Sequence, residues 1–107
     1  MAAGGLMGTS KVFCGQVLMD RQRHIAIVAK KDKESVQLVG VRAGILRLKK
    51  YLIREIECEW VGTDYPFDLA MTKLLAIGRE RGITDGARAA LQALAISGKE
   101  PKQGALF

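Results

Sequence analysis

Three short runs of β-branched and aliphatic residues dominate the first half of the chain: Lys11 to Met19 (KVFCGQVLM), His24 to Lys31 (HIAIVAKK) and Ser35 to Arg42 (SVQLVGVR). Polar stretches separate them, first Asp20-Arg21-Gln22-Arg23 and then Asp32-Lys33-Glu34. Runs this short, joined by turns of three or four residues, predict an antiparallel meander. Both faces of the runs are apolar, so the sheet should be covered on each side or curled into a small barrel.

Gly44 interrupts the third run, and Ile45 to Trp60 (ILRLKKYLIREIECEW) then carries two competing periods. Ile45, Leu48, Leu52, Ile56 and Trp60 make a helical stripe. Arg54 to Trp60 also alternates strictly, with Glu55, Glu57 and Glu59 opposite Ile56, Cys58 and Trp60. The cleaner alternation predicts a helical turn over 46–51 and a fourth strand over 53–61, with Trp60 in the core.

Beyond Asp64-Tyr-Pro66 the period becomes helical. Asp64 is the expected N-cap with Pro66 in the first turn, and Leu69, Leu74 and Ile77 form the apolar stripe of a helix ending near Gly82. Thr84 or Asp85 should cap a second helix, Ala87 to Ile96, which carries Leu91 and Leu94 and stops at Ser97-Gly98. The expected fold class is therefore α+β: an antiparallel meander of three to four strands followed by a two-helix hairpin. Residues 10–97 read as one domain, with a flexible N-terminus over 1–9 and a flexible tail over 98–107.

A chain of 107 residues with 49% hydrophobic and 26% charged residues has enough apolar content for one modest core and is not disordered in bulk. No apolar run approaches the ~20 residues of a membrane-spanning helix. The first residues lack the basic and apolar segments of a secretory signal, and Cys14 and Cys58 have no CxxC neighbours. A cytoplasmic protein with two free thiols and no disulfide framework is expected.

Charge changes this picture more than composition does. The net +6 is concentrated in residues 21–54, where Arg21, Arg23, Lys30, Lys31, Lys33, Arg42, Arg47, Lys49, Lys50 and Arg54 face only Asp32 and Glu34. Glu55, Glu57, Glu59, Asp64 and Asp68 follow with no base among them. So polarised a surface favours a polyanionic partner on one side, nucleic acid being the commonest inside cells. The competing explanation is that these bases guard strand edges against aggregation.

Catalytic signatures are missing. Gly98-Lys99 is followed by Glu100, so there is no P-loop, and Gly40 to Gly44 lacks the spacing of a dinucleotide fingerprint. His24 is the only histidine, which excludes a multi-histidine metal site, and beside Arg21 and Arg23 it reads as a surface residue. The three glutamates at 55, 57 and 59 read as solvated strand charges. No enzyme activity, metal or cofactor is expected.

The candidate interface residues are Arg21, Arg23, Lys30, Lys31 and Lys33 at strand ends, and Arg47, Lys49, Lys50 and Arg54 around Tyr51, a potential base-stacking platform. With few aromatics in the chain, backbone contact is expected in preference to base readout. A helix-turn-helix reading of the helical pair, with Gly82 in the turn and Gly78 at the tight position of the first helix, is disfavoured, because the second helix is mostly alanine and leucine and places Arg88 where an inward apolar residue belongs.

The tail Gln103-Gly-Ala-Leu106-Phe107 resembles the pentapeptide with which bacterial polymerases and repair factors dock on the replicative sliding clamp. In that resemblance the Gln103 amide bonds at a pocket rim while Leu106 and Phe107 fill it. Gly104 departs from the pattern, standing where that family usually has leucine. The resemblance implies a protein partner, the bacterial clamp. Together with the basic region it suggests a non-enzymatic accessory protein of DNA replication, DNA repair or a mobile element. The alternative is a protein-interaction or oligomerisation module whose basic face meets an acidic protein, including the 55–68 segment of a second copy in a homodimer.

Overall fold

The computed structural model describes residues 12–97. In chain order the elements are β1 (Val17–Asp20), β2 (Ile25–Lys31), β3 (Ser35–Arg42), β4 (Ile45–Leu52), α1 (Ile53–Glu59), β5 (Trp60–Gly62), α2 (Phe67–Arg81) and α3 (Asp85–Ser97). The α+β class and the antiparallel meander are as expected. The strands form one sheet in the order β4-β3-β2-β1-β5, antiparallel throughout. There are five strands where three to four were expected, and the sheet is open, not a barrel.

Two-sided burial, which had suggested closure, has another cause: each face carries a separate core. Val17, Ile25, Ile27, Val39 and Leu46 pack under Ala70, Met71 and Leu74 of α2 and Ala87, Leu91 and Leu94 of α3. On the reverse face Leu18, Ala26, Val28, Val36, Leu38 and Tyr51 pack with Val12, Ile56 and Trp60. Successive strand residues point to opposite faces, so strands covered on both sides must be apolar at nearly every position.

The meander follows from its turns. Asp20 Oδ1 accepts the amides of Gln22 and His24, both at 2.9 Å, and closes the β1–β2 turn. Between β3 and β4 the two loop residues Ala43 and Gly44 have φ of 55° and 85°. Positive φ at both central positions is the requirement of the hairpin turn whose twist matches its strands. That turn fixes the register from Arg42↔Ile45 through Ser35↔Leu52.

This register overturns the expectation for 45–61. Residues 46–51 are strand, not a helical turn, and most of 53–61 is helix, not strand. Eight cross-strand pairs with β3 outweigh the local helical stripe, and Leu46 and Tyr51 are buried on opposite faces. In 53–59 the alternation misleads because Cys58 is exposed; Ile53, Ile56 and Trp60, three and four apart, turn inward, which is a helical spacing. Glu55, Glu57 and Glu59 therefore lie on α1. Glu55 Oε1 accepts the Leu52 amide at 2.8 Å and so helps begin the helix. Trp60 is buried as expected, though on β5, which pairs with β1.

Both later helices form where expected, with small corrections. Pro66, not Asp64, is the N-cap of α2, and the inward stripe is Ala70, Met71, Leu74 and Gly78, leaving Leu69 exposed. Thr84 Oγ1 accepts the Ala87 amide at 3.2 Å and caps α3. Gly78 is buried where a Cβ would lie 3.4 Å from Ile83 and 3.5 Å from Leu46. Its lack of a side chain lets the α2–α3 connection lie against β4. There the Leu46 amide donates to Gly82 O and the Thr84 amide donates to Leu46 O, both at 3.0 Å. No helix among the described residues is long and apolar enough to cross a membrane.

Candidate nucleic-acid interface

α1 carries the chain across the reverse face of the sheet, from β4 at one edge to β5 at the other. A seven-residue helix is about 10 Å long and cannot cover a five-stranded sheet. The part left open lies over β3 and β4 near their shared turn. The hairpin register puts Arg42, Arg47, Lys49 and Tyr51 on this face, with Gly40 opposite Arg47 and Leu38 opposite Lys49.

These side chains are tied together. Arg42 Nη1 donates to the Tyr51 hydroxyl at 3.1 Å, and Arg47 Nε donates to Arg42 O at 3.1 Å. Lys49 Nζ stands 5.0 Å from the centroid of the Tyr51 ring, within cation–π range. The Tyr51 ring meets Trp60 edge-on at 6.1 Å. Burial pushes the Tyr51 hydroxyl above its ordinary pKa of 10.0; the Arg42 charge and hydrogen bond work against that rise, while Glu59 and Asp20 add to it. At neutral pH Tyr51 is a neutral acceptor that holds Arg42 in place.

The same bases border an open depression of about 580 Å³ along the β4 edge, lined by Arg42, Ala43, Arg47, Leu48, Lys49 and Thr84. Behind them Ala26, Gly40, Tyr51 and Trp60 help line a narrow crevice of about 10 Å³.

The bases singled out in the sequence do not form one cluster. Arg47, Lys49 and Tyr51 meet on the open face. Arg21 and Arg23 sit in the β1–β2 turn, at the same end of the sheet as the β3–β4 turn. Lys31 and Lys33 lie at the opposite end, since β2 separates the two turns. Lys30 and Lys50 flank Gln37 in register on the other face of the sheet. Arg54 is exposed on α1. Tyr51 is buried by its neighbours, so its ring is a scaffold for cations and not the open stacking platform expected. Arg42 was counted in the basic region but missed as a site residue. Its signal was the two-residue turn Ala43-Gly44, which sets Arg42 on the face of Gly40, Arg47 and Lys49.

The remaining candidates are placed as follows. His24 Nδ1 lies 3.4 Å from Asp20 Oδ2, a contact that steadies the β1–β2 turn. Cys14 and Cys58 are both exposed free thiols. Among the described residues no group of three or more His, Cys, Asp or Glu is placed to hold a metal ion. Arg88 points outward from α3. Gln103, Leu106 and Phe107, with the segments 1–9 and 98–107, lie outside the described residues.

Compared with protein-family models, with curated proteins and with solved structures, the chain finds no significant match.

Proposed function

We propose that this protein binds the phosphate backbone of nucleic acid along β4, as a non-enzymatic accessory factor of bacterial DNA replication, DNA repair or a mobile element. The observation that carries the reading is the grouping of Arg42 and Lys49 on Tyr51, with Arg47 bonded to the Arg42 carbonyl, beside an open depression. Edge-guarding lysines need no partners within the chain, whereas these three exposed bases each make a contact with a neighbour: Arg42 with the Tyr51 hydroxyl, Arg47 with the Arg42 carbonyl and Lys49 with the Tyr51 ring. Their placement on one face of the β3–β4 hairpin suits backbone phosphates better than base edges, because the side chains share no planar aromatic surface open to stacking. Lys50, on the other face of β4, extends the positive field along that strand.

The tail adds a second contact. Its resemblance to the clamp-binding peptide supports recruitment to DNA being copied or repaired, with Gln103, Leu106 and Phe107 as the docking residues. Backbone binding is tested by retention on immobilised single- and double-stranded DNA over a salt gradient. A logarithm of affinity that falls linearly with the logarithm of salt supports the reading. Salt-independent retention, or none at low salt, leaves the bases as solubility devices.

A further inference from the structure

Three features coincide at Gly40. First, the sheet is thinned there: a Cβ on Gly40 would meet the Ala26 Cβ at 3.0 Å and the Ile25 carbonyl at 3.4 Å, so only glycine fits without movement. The small pair Ala26 and Gly40 forms the floor of the crevice behind Tyr51. Second, the rim of that crevice includes Arg42, Arg47 and Lys49, three cations with no carboxylate among the lining residues. Third, Trp60 lines the crevice at 7% exposure, and its Nε1 is a buried donor without a hydrogen-bond partner.

A buried indole N–H left unpaired is disfavoured, and native proteins seldom keep one. Its natural partner here is an oxygen from outside the chain. The free volume, about 10 Å³, matches a single oxygen-sized guest. Water could fill such a space, but a field from three fixed cations selects an oxygen that carries negative charge. A phosphate satisfies each part of the arrangement: one oxygen enters to accept from Trp60 Nε1, and the others remain at the rim for the Arg42 and Arg47 guanidinium groups and the Lys49 ammonium. A carboxylate is planar and its two oxygens diverge in one plane, whereas a tetrahedral phosphate, free or esterified, can direct one oxygen inward and present another to the cations at the rim.

We infer that the crevice at Gly40 is a seat for a single phosphate group, gripped by Arg42, Arg47 and Lys49 and registered by the Trp60 indole. The inference deepens the nucleic-acid reading by giving that interface one fixed phosphate position, and it can stand or fall separately. A free phosphate and a strand phosphodiester share the tetrahedral anionic group the seat recognises, the free anion carrying the greater charge, and the titration below distinguishes the two sources.

Trp60 is the chain's single tryptophan, so its indole N–H gives one resonance in the ¹⁵N-labelled full-length protein. That resonance is followed during titration with inorganic phosphate, with sodium acetate, with sodium chloride at matched ionic strength, and with a short DNA strand carrying internal phosphates only. Phosphate is expected to move it saturably downfield while chloride and acetate leave it in place. Lys49→Gln should weaken the phosphate midpoint roughly tenfold. Trp60→Phe, checked for native circular dichroism and followed by calorimetry, should weaken it as well while leaving the cations in place. An indole resonance unmoved by phosphate, or moved equally by acetate or chloride, overturns the seat. The DNA arm separates the two readings. Salt-dependent strand binding with an indole silent to phosphate removes the seat and keeps the interface. A phosphate-responsive indole without strand binding keeps the seat and removes the interface.

Discussion

Arg42 and Tyr51 lie near opposite ends of the β3–β4 ladder, paired with Ile45 and Val36, yet the Arg42 guanidinium donates to the Tyr51 hydroxyl at 3.1 Å. The two side chains reach toward each other along the sheet face. Lys49 sits over the Tyr51 ring between them in sequence, and Arg47 is pinned to the Arg42 carbonyl. One buried tyrosine thus contacts two of the three cations, Arg42 and Lys49, while Arg47 is held beside them by the Arg42 carbonyl.

Tyr51 should reveal this role at high pH. Its folded pKa is raised above 10.0, chiefly by burial, so the folded state holds the phenolic proton more tightly than the unfolded state. The resulting stability is complete below pH 10 and is lost as pH rises through the folded value. Ultraviolet titration of tyrosinate should show one of the two tyrosines ionising late, together with unfolding. Tyr51→Phe should abolish the late step and cost about 0.5–1.5 kcal/mol at neutral pH through the lost Arg42 bond. A late step that survives the substitution assigns it to Tyr65.

The β3–β4 turn offers a gain in stability. Ala43 adopts φ of 55°, a conformation that alanine tolerates poorly and asparagine well. Ala43→Asn makes the turn Asn-Gly, the preferred pair for this geometry, and should stabilise the fold by about 0.5–1 kcal/mol. Thermal unfolding by circular dichroism reads this as a midpoint several degrees higher; a lower midpoint contradicts the turn assignment.

Trp60 joins α1, β5 and the reverse-face core. Its fluorescence should be that of a buried indole, and Trp60→Ala should cost ~3–5 kcal/mol by chemical denaturation. A cost below about 1 kcal/mol means that the face collapses around the gap or does not need the ring.

The parts of the fold written in short-range signals were legible in the sequence. Ser35 to Arg42 read as a strand because both its neighbours are turns, and Thr84 read as a helix cap because its hydroxyl satisfies a nearby amide. Residues 45–60 were misread because the deciding contacts are distant: Leu46 bonds to Gly82 and Thr84, and Trp60 pairs with Asp20. Local periodicity cannot register such pairings. The candidate site was legible as charge but not as geometry. Arg47, Lys49 and Tyr51 were visible as a basic stretch around an aromatic, whereas Arg42 and Gly40 join them only through the hairpin register.

The tail can be examined independently of the domain. Purified bacterial sliding clamp titrated with the full chain should bind, and a chain lacking Leu106 and Phe107 should lose that binding. Restoring leucine at Gly104 should tighten it, since a contact is regained and the cost of ordering glycine, roughly 0.5–1 kcal/mol, is reduced. Equal binding by the intact and shortened chains removes the clamp from the account.

The central claim, that the cations of the β3–β4 hairpin hold a nucleic-acid backbone, is tested most directly by the salt dependence of oligonucleotide affinity. The measurement compares the natural chain, a variant with Arg42→Gln, Arg47→Gln and Lys49→Gln, and a variant with Lys30→Gln and Lys33→Gln at the far end of the sheet. The first variant should keep its fold and flatten the slope of log affinity against log salt by about one unit per lost phosphate contact. The far-end variant should change the slope less per charge removed. Equal flattening per charge in both variants would mean that net charge alone drives binding, and an unchanged slope in the first would contradict the β4 interface outright.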